Sequence, residues 1–287
     1  MRLKIGLAQM YPKLGDVPRN LDKHLQTIDE AAAQGIDLLI FPELSLTGYQ
    51  VMDLVPEVAI RPTLDDSTFR LLSEASRNTG IDIVFGFVHQ DERQRFYIAS
   101  AYISLGELLH IHHKIYLPTY GMFDESRFFD HGENARAFDT RFGRVGMLIC
   151  EDFWHMSPPY LLWMDGADLM IFTSASPSRG LDTSEIFSGG QWVELVNQAY
   201  GSLFTSYIVH CNRVGYEDGK NFWGGSSIVD PNGAFLLKGH YLDEALLTCD
   251  VDLNQLHRTR SRLPLLRDER PELMLREMDR ILTRNHR

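Results

Sequence analysis

The chain contains 287 residues, of which 44% are hydrophobic and 23% are charged, proportions typical of a soluble protein with a substantial core. Its formal net charge of −11 argues against a nucleic-acid-binding surface, because phosphate recognition requires clustered Lys and Arg. The three cysteines, Cys150, Cys211 and Cys249, are widely spaced and form neither a disulfide framework nor a CxxC metal pair. This pattern favours a reducing compartment.

The amino terminus, Met1-Arg2-Leu3-Lys4-Ile5, has the pattern of a first strand and lacks the organisation of a signal peptide. No apolar run approaches the roughly 18 to 20 residues that a membrane-spanning helix needs. We therefore expect a cytoplasmic protein that does not associate with membranes or nucleic acid.

Strand-like and helix-like patterns alternate along the chain without a clear linker. In chain order, the sequence predicts a strand over residues 3–10, a helix over 20–34, a strand over 37–41, a helix over 67–77, strands over 81–88, 96–104, 107–112 and 145–149, a helix over 158–164, a strand over 168–172, a helix over 191–203, a strand over 206–210, a strand within 224–233 that a Pro-Asn-Gly turn interrupts, and a strand over 245–251. The tail over 271–287 has the pattern of an exposed charged helix that crosses to another subunit. We expect an α/β fold with layered sheets, in a single domain over residues 1–287.

One cysteine lies where open α/β sheets place their chemistry. Cys150 follows the apolar run Val145-Gly146-Met147-Leu148-Ile149 and therefore lies at the carboxyl end of a predicted strand. A thiol reacts as thiolate and needs a base or a nearby cation. For this residue considered alone, a packed apolar cysteine is the more common interpretation.

Two other strand ends provide candidate partners for the thiol. Glu43 follows the strand at 37–41 and is a candidate base, whereas Lys114 follows the strand at 107–112 and is a candidate cation for a thiolate and an oxyanion. The backbone N–H of Glu151 is a second candidate donor to that oxyanion. A solvated turn acid and a surface lysine are the alternatives for Glu43 and Lys114.

Three motifs together resemble the signature blocks of the carbon–nitrogen hydrolase (nitrilase) superfamily, in the family's order. They are Phe41-Pro42-Glu43-Leu44, His113-Lys114-Ile115-Tyr116-Leu117-Pro118 and Ile149-Cys150-Glu151-Asp152. The resemblance implies that Glu43 is the general base, Lys114 the oxyanion-stabilising cation and Cys150 the nucleophile. It also implies a four-layer α-β-β-α sandwich and a homodimer or higher homo-oligomer. Such a mechanism needs no cofactor.

A fourth residue is implied by the same resemblance. Gly121-Met122-Phe123-Asp124-Glu125-Ser126-Arg127 is similar to the family loop that carries a second glutamate. Glu125 is then expected to hold Lys114 or to position substrate and water. The alternative is a solvated loop acid.

The residues around the motifs resemble the amidase branches, because Glu151-Asp152 follows the nucleophile where true nitrilases usually carry Trp. Three further segments carry a more specific likeness: Leu46-Thr47-Gly48-Tyr49, Tyr116-Leu117-Pro118-Thr119-Tyr120-Gly121 with Phe123-Asp124-Glu125, and Ser174-Ala175-Ser176-Pro177. They are most similar to the glutaminase domain of glutamine-dependent NAD synthetases. By that resemblance, the candidate substrate-binding residues, with Glu151, are Tyr49, Tyr120, Trp154 and Ser176. Core or interface packing is the alternative for Tyr49 and Trp154.

The sequence differs from those synthetases in lacking a recognisable ATP-pyrophosphatase region. Ser188-Gly189-Gly190 is followed by Gln191-Trp192 instead of the Asp-Ser of a phosphate loop, and we expect it to be a helix-entry loop. The sequence thus predicts a thiol amidohydrolase that cleaves a small linear amide through a cysteinyl thioester. The alternatives are a glutaminase subunit that supplies ammonia to a partner synthetase, an N-carbamoyl-amine hydrolase, and a hydrolase-like scaffold or binding protein.

The remaining candidates are weaker. His110, His112 and His113 alternate along a strand, and no carboxylate or cysteine completes a metal site around them. His155 follows Cys150 on a turning chain and is not expected to face the thiol. Cys211 and Cys249 are expected to be packed instead of reactive.

Overall fold

Two six-stranded sheets pack face to face in the computed structural model, which describes residues 1–178 and 188–285. The first sheet has the order β14-β1-β2-β3-β4-β5 and consists of β1 (Arg2–Gln9), β2 (Leu38–Ile40), β3 (Asp82–Gln90), β4 (Phe96–Ser104), β5 (Glu107–His113) and β14 (Ala245–Asp252). The second has the order β13-β12-β9-β8-β7-β6 and consists of β6 (Phe138–Thr140), β7 (Gly143–Ile149), β8 (Leu169–Ser174), β9 (Tyr207–Asn212), β12 (Ser227–Val229) and β13 (Phe235–Lys238). A separate hairpin pairs β10 (Val214–Glu217) with β11 (Lys220–Trp223).

The helices lie mainly on the outer faces of the two sheets. They are α1 (Val17–Ala33), α2 (Val55–Val58), α3 (Ser67–Thr79), α4 (Ser157–Met164), α5 (Ser188–Phe204), α6 (Asn254–Arg262), α7 (Leu265–Asp268) and α8 (Pro271–Asn285). Three short 3₁₀ helices cover Met52–Leu54, Glu125–Arg127 and Cys150–Trp154. In the described part of the chain, no helix has the length and apolar character needed to cross a membrane.

The core separates into layers because alternate residues of each strand face opposite sides of its sheet. Residues such as Ile5, Leu38, Ile171 and Val209 pack between the two sheets. The opposite face of the first sheet packs on α1 and α3 through residues such as Ile28 and Leu72. The second sheet packs in the same way on α4 and α5. The predicted four-layer α-β-β-α sandwich is confirmed.

Both sheets have the same strand directions. In the first, β1, β2 and β3 are parallel, β14 and β4 run antiparallel to them, and β5, antiparallel to β4, again runs in the direction of β3. In the second, β7, β8 and β9 are parallel, β6 and β12 run antiparallel to them, and β13 runs in the direction of β9. Parallel strands end at one edge of their sheet, which is where α/β folds place functional loops.

Two helices begin earlier than the sequence predicts. α1 begins at Val17 because Asp16 caps it by accepting from the Arg19 N–H at 3.2 Å. α5 begins at Ser188, so the expected helix-entry loop at Gly189-Gly190 is wrong. Both glycines have poor helix propensity, and a Cβ at Gly190 would make only ordinary contact, 3.5 Å from the Trp223 ring.

The predicted tail helix is present as α8. Its apolar residues Leu275 and Leu282 are 72% and 56% exposed in the single chain. The last two positions of that prediction, 286 and 287, lie outside the described residues.

Candidate active site

Four segments deliver the predicted catalytic side chains to one region. Glu43 follows β2, Lys114 follows β5, and Cys150 follows β7 as the first residue of its 3₁₀ helix. Glu125 begins another 3₁₀ helix in the loop after β5. All four side chains are buried, with Cys150 and Glu125 exposed by only 8% and 5%. The first sheet therefore provides Glu43 and Lys114, and the second provides the thiol.

Lys114 lies between the two predicted carboxylates. Its Nζ is 2.8 Å from Glu43 Oε1 and 2.7 Å from Glu125 Oε1. The second Glu43 oxygen accepts from the Ala175 N–H at 2.7 Å, which ties the carboxylate to the end of β8. A charge buried at this depth is tolerated only when it is paired and hydrogen-bonded, and Lys114 has both carboxylates.

These charges act on one another and on the thiol. Burial lowers the pKa of Lys114, but the charges of Glu125 and Glu43 outweigh burial and raise that pKa well above its usual value. Burial raises the pKa of Glu125 to about 7, although Lys114 acts in the opposite direction. Burial and the Glu43 charge raise the pKa of the Cys150 thiol, and Lys114 offsets them only in part. The resting thiol is therefore protonated, and its reaction requires a base.

The backbone at Cys150 turns sharply. Its φ of 47° lies in the left-handed region that residues other than glycine rarely adopt, and such strain often occurs at functional positions. The turn takes the chain from β7 directly into the 3₁₀ helix, so the thiol projects from the end of the sheet. Here the thiol borders a cavity and does not lie inside the strand.

Asp152 holds this turn, a role that no sequence pattern indicated. Its fully buried carboxylate accepts from the Ile149 N–H at 3.0 Å on one side of Cys150. The other oxygen accepts from the N–H groups of Ile115 and Tyr116, both at 2.9 Å, directly after Lys114. Asp152 thereby connects the Cys150 turn to the Lys114 segment. Glu151 and Asp152 are adjacent acidic residues, and no local sequence pattern shows which of them holds the turn.

His112 is a related correction. The expectation that no carboxylate lies near the histidines of β5 is wrong, because His112 Nε2 lies 2.8 Å from Asp152 Oδ2. The strand alternation was correct, because His113 contacts His89 instead, with 2.6 Å between ring nitrogens. Among residues 1–178 and 188–285, no group of three or more His, Cys, Asp or Glu side chains is arranged to hold a metal ion.

A cavity of about 320 Å³ opens beside Cys150. Three of the predicted substrate-binding residues, Glu151, Trp154 and Ser176, line it together with the thiol. The rest of the described lining is mostly apolar and consists of Phe123, Pro177, Gly189, Trp192, Val193 and Trp223. Trp154 stacks on Trp192 with ring centroids 3.9 Å apart. The cavity has room for a small linear molecule next to the nucleophile.

Two predicted substrate-binding residues lie elsewhere. The Tyr120 hydroxyl donates to Glu151 Oε2 at 2.9 Å, so Tyr120 contacts the cavity through that carboxylate. Tyr49 is buried, and its hydroxyl donates to Glu125 Oε1, the oxygen that also contacts Lys114. Tyr49 therefore belongs to the charged network, and among the described residues it does not line the cavity.

The remaining candidates do not line the cavity in the described part of the chain, although His155 Nε2 lies 3.6 Å from Glu151 Oε1. His155 stacks on Tyr116 with ring centroids 3.7 Å apart. Cys211 is buried between the sheets, where its Sγ contacts the Ile40 carbonyl at 3.2 Å. Cys249 is only partly buried, on β14.

Comparison with known proteins places these observations in a family. Residues 4–261 match the family model for carbon–nitrogen hydrolases. The chain is 34% identical over 260 residues to a glutamine-dependent NAD(+) synthetase of Thermotoga maritima, covering 88% of this chain and 43% of that protein. It thus spans less than half the length of this relative.

Two further matches extend over nearly the whole length of the other protein. A probable nitrilase of Schizosaccharomyces pombe is 27% identical over 260 residues, covering 88% of this chain and 90% of that protein. The crystal structure of a carbon–nitrogen hydrolase from Helicobacter pylori superposes with a TM-score of 0.84 at 20% identity, covering 94% of this chain and 96% of that one. The latter likeness shows a common fold.

Proposed function

The chain belongs to the carbon–nitrogen hydrolase family, and from this premise we propose that it is a thiol amidohydrolase. Its substrate is a small linear amide, and the reaction proceeds through a thioester on Cys150. The observation that carries the proposal is the buried contact of Lys114 with both Glu43 and Glu125 next to a thiol that borders a cavity.

The first half of the proposed reaction acylates the enzyme. Glu43 accepts the thiol proton as the Cys150 sulfur forms a bond to the amide carbon. The carbonyl oxygen becomes an oxyanion, which the Lys114 ammonium and the Glu151 backbone N–H stabilise. Glu43 then returns the proton to the amide nitrogen, the C–N bond breaks, and ammonia or an amine leaves.

The second half releases the acid. Glu43 removes a proton from a water molecule, whose oxygen attacks the thioester carbon and forms a second oxyanion beside Lys114. The carbon–sulfur bond then breaks, and the Cys150 sulfur regains a proton from Glu43. Glu125 keeps Lys114 in place throughout. Thiol, carboxylate and ammonium supply every step, so no cofactor is required.

Ammonia release and intact-protein mass spectrometry test this proposal. The panel contains glutamine, asparagine, ω-amidated dicarboxylates and N-carbamoyl amines. We expect one acyl adduct on Cys150 for each substrate, and a Cys150→Ala variant that has lost turnover by at least about 10⁴-fold. Cys211→Ala is the control, since its buried thiol lies away from the cavity, and it should remain active. Loss of turnover in Cys211→Ala, with Cys150→Ala active, would refute the assignment.

A second candidate is a glutaminase subunit. The similarity to glutamine-dependent NAD(+) synthetases favours it, and its partner would be an ammonia-dependent synthetase. Glutamine should then be the preferred member of the panel, with ammonia release stimulated by that synthetase. Preference for an N-carbamoyl amine instead would identify a carbamoyl-amine hydrolase. If nothing in the panel acylates Cys150 while a specific protein partner binds, the scaffold alternative holds.

A further inference from the structure

A second buried ion pair lies behind the catalytic network, in the hairpin of β10 and β11. Glu217, the last residue of β10, is 4% exposed, and its Oε1 accepts from the N–H groups of Tyr49 at 2.8 Å and Gln50 at 2.7 Å. The approach is close, because a Cβ on Gly48 would lie 2.9 Å from Glu217 Oε2. The Glu217 carboxylate thus fixes the backbone of the loop that carries Tyr49.

Arg213 holds that carboxylate. Its Nη1 lies 2.7 Å from Glu217 Oε2, and both side chains are almost completely buried. Within the described residues, Glu217 is its only acidic partner, and the Nε and Nη2 atoms of Arg213 have no hydrogen-bond partner. The guanidinium also lies over the Phe222 ring, with Cζ 4.2 Å from its centroid. The charge of Glu43 also acts on Arg213, and that of Lys220 on Glu217, but among the described residues only Arg213 and Glu217 form a direct ion pair with each other.

The ion pair connects to the catalytic network through Tyr49. Phe222, which carries the Arg213 guanidinium on one face, also packs on the Tyr49 ring at a centroid distance of 5.8 Å. The Tyr49 hydroxyl then donates to the Glu125 oxygen that contacts Lys114. The pair therefore constrains Tyr49 both at its backbone and at its ring.

We propose that Glu217, held by Arg213, is a positioning residue for the reaction: it fixes Tyr49 so that the Tyr49 hydroxyl keeps the Glu125 carboxylate on Lys114. Stability alone gives little reason for such a pair, because well-packed apolar residues often replace a buried ion pair without loss. The inference rests on the proposed function for its effect on turnover, but its effect on the thiol is measurable without any amide.

The test compares Glu217→Gln, Tyr49→Phe and their double variant in two assays. The first is the pH dependence of Cys150 alkylation by iodoacetamide, with the modified cysteine identified by mass spectrometry. Because the Glu125 charge helps to hold the thiol protonated, a displaced Glu125 should move the alkylation midpoint to lower pH in each variant. The second assay is amide hydrolysis, in which kcat should fall about tenfold with KM changed by less than about threefold.

The double variant shows whether Glu217 acts through Tyr49 or whether the two residues affect the site independently. If Glu217 acts through Tyr49, the double variant should lose no more than the more damaged single variant, because coupled residues are not additive. Multiplied losses, or an alkylation midpoint and kcat that stay at the values of the unmodified protein, would overturn the inference. Asp168→Asn is the matched control, since it breaks the ion pair with Arg260 at 2.5 Å and should not move the alkylation midpoint.

A further variant covers the case in which Glu217→Gln does not fold. Replacing the pair together, as Arg213→Met with Glu217→Gln, removes both charges, leaves no unpaired buried guanidinium, and keeps a side-chain oxygen that can accept from the Tyr49 and Gln50 N–H groups. We expect this variant to show the same lower alkylation midpoint and the same loss of kcat. A folded protein with normal values would overturn the inference. If alkylation shifts but no amide is hydrolysed even by the unmodified protein, the proposed function fails and the positioning role stands.

Discussion

At the scale of single residues, the carboxylate of Asp152 connects several segments of the site through its hydrogen bonds. It accepts from N–H groups on both sides of the gap between the Cys150 turn and the Lys114 segment, and from His112. Both of its oxygens are used and none of the residue is exposed. A change of one atom there alters the relative position of nucleophile and cation.

We therefore expect Asp152→Asn to lose both stability and activity. The amide nitrogen replaces one acceptor, so at least one buried donor is left unpaired, which costs about 1–3 kcal/mol. Urea denaturation measures this loss, and kcat should fall with it. Asp139→Asn is the control, because that aspartate is 85% exposed in its pair with Arg144. Equal stability of the two variants would contradict the connecting role of Asp152.

The catalytic candidates could be predicted from the sequence, whereas the residues that position them could not, and the reason is physical. Glu43, Lys114 and Cys150 each follow an apolar run, so local periodicity marks them as strand ends. Asp152 and Glu217 act through hydrogen bonds to segments 36 and 168 positions away, and no local pattern encodes such partners. Tyr49 was associated with the substrate pocket by resemblance alone, and its contact with Glu125 emerges only from the fold.

At the scale of elements, a strand glycine determines where Glu43 lies. Gly86 in β3 faces the segment after β2, where a Cβ would lie 2.6 Å from the Pro42 carbonyl oxygen and 2.8 Å from the Glu43 carbonyl carbon. These are backbone atoms and cannot rotate away. The short strand β2 can thus deliver Glu43 only because β3 carries no side chain at this position.

Gly86→Ala should therefore displace Glu43 and reduce activity by at least about 100-fold, since small misplacements of catalytic groups are costly. Gly146→Ala in β7 is the matched control, because its Cβ would meet the flexible end of Leu162 at 2.6 Å. Ammonia release and thermal unfolding should be measured for both variants. Similar losses of kcat in the two would show that the backbone contact at Gly86 is unimportant.

The long strands were predicted from the sequence, whereas several of the short ones were missed. Strands such as β3 and β4 are largely apolar runs, and their positions were predicted within two residues. By contrast, β6, β10 and β11 have three or four residues each, too few for a period to emerge. The missed hairpin is the one that carries Glu217. The β10–β11 hairpin, which the sequence did not predict, therefore holds the loop that carries Tyr49.

At the scale of the whole molecule, buried neutral histidines determine how the free energy of unfolding changes at acidic pH. Burial lowers the pKa of His24 to about 4 and that of His210 to about 3. Burial also lowers the pKa values of His89, His110 and His113. An unfolded histidine titrates near pH 6.5, so below that pH the unfolded chain binds protons that the folded chain does not.

The free energy of unfolding should consequently fall as pH decreases from 7 to 5.5, by at least about 2 kcal/mol. Glu125 and Asp82 act in the opposite direction because burial raises their pKa values, but among the described residues they are two groups against five histidines. Urea denaturation across this range measures the slope, which should be smaller in His24→Gln. A stability that is constant or rises toward pH 5.5 would refute this account.

We propose that residues 1–287 form one domain and that the protein is a homodimer. The apolar residues exposed on α8, such as Leu275, are consistent with a partner surface. Sedimentation velocity gives the mass in solution, and a monomer at micromolar concentration would exclude the dimer.

The division of the site between the two sheets has a consequence for heat inactivation. Base and cation belong to one layer and nucleophile to the other, with contacts such as Ser100 Oγ to Thr173 Oγ1 at 3.0 Å between them. Each sheet keeps its own ladder hydrogen bonds when the layers loosen slightly. We therefore expect warming to abolish amide hydrolysis before the backbone unfolds, because a slight loosening between the layers separates the thiol from its base and cation.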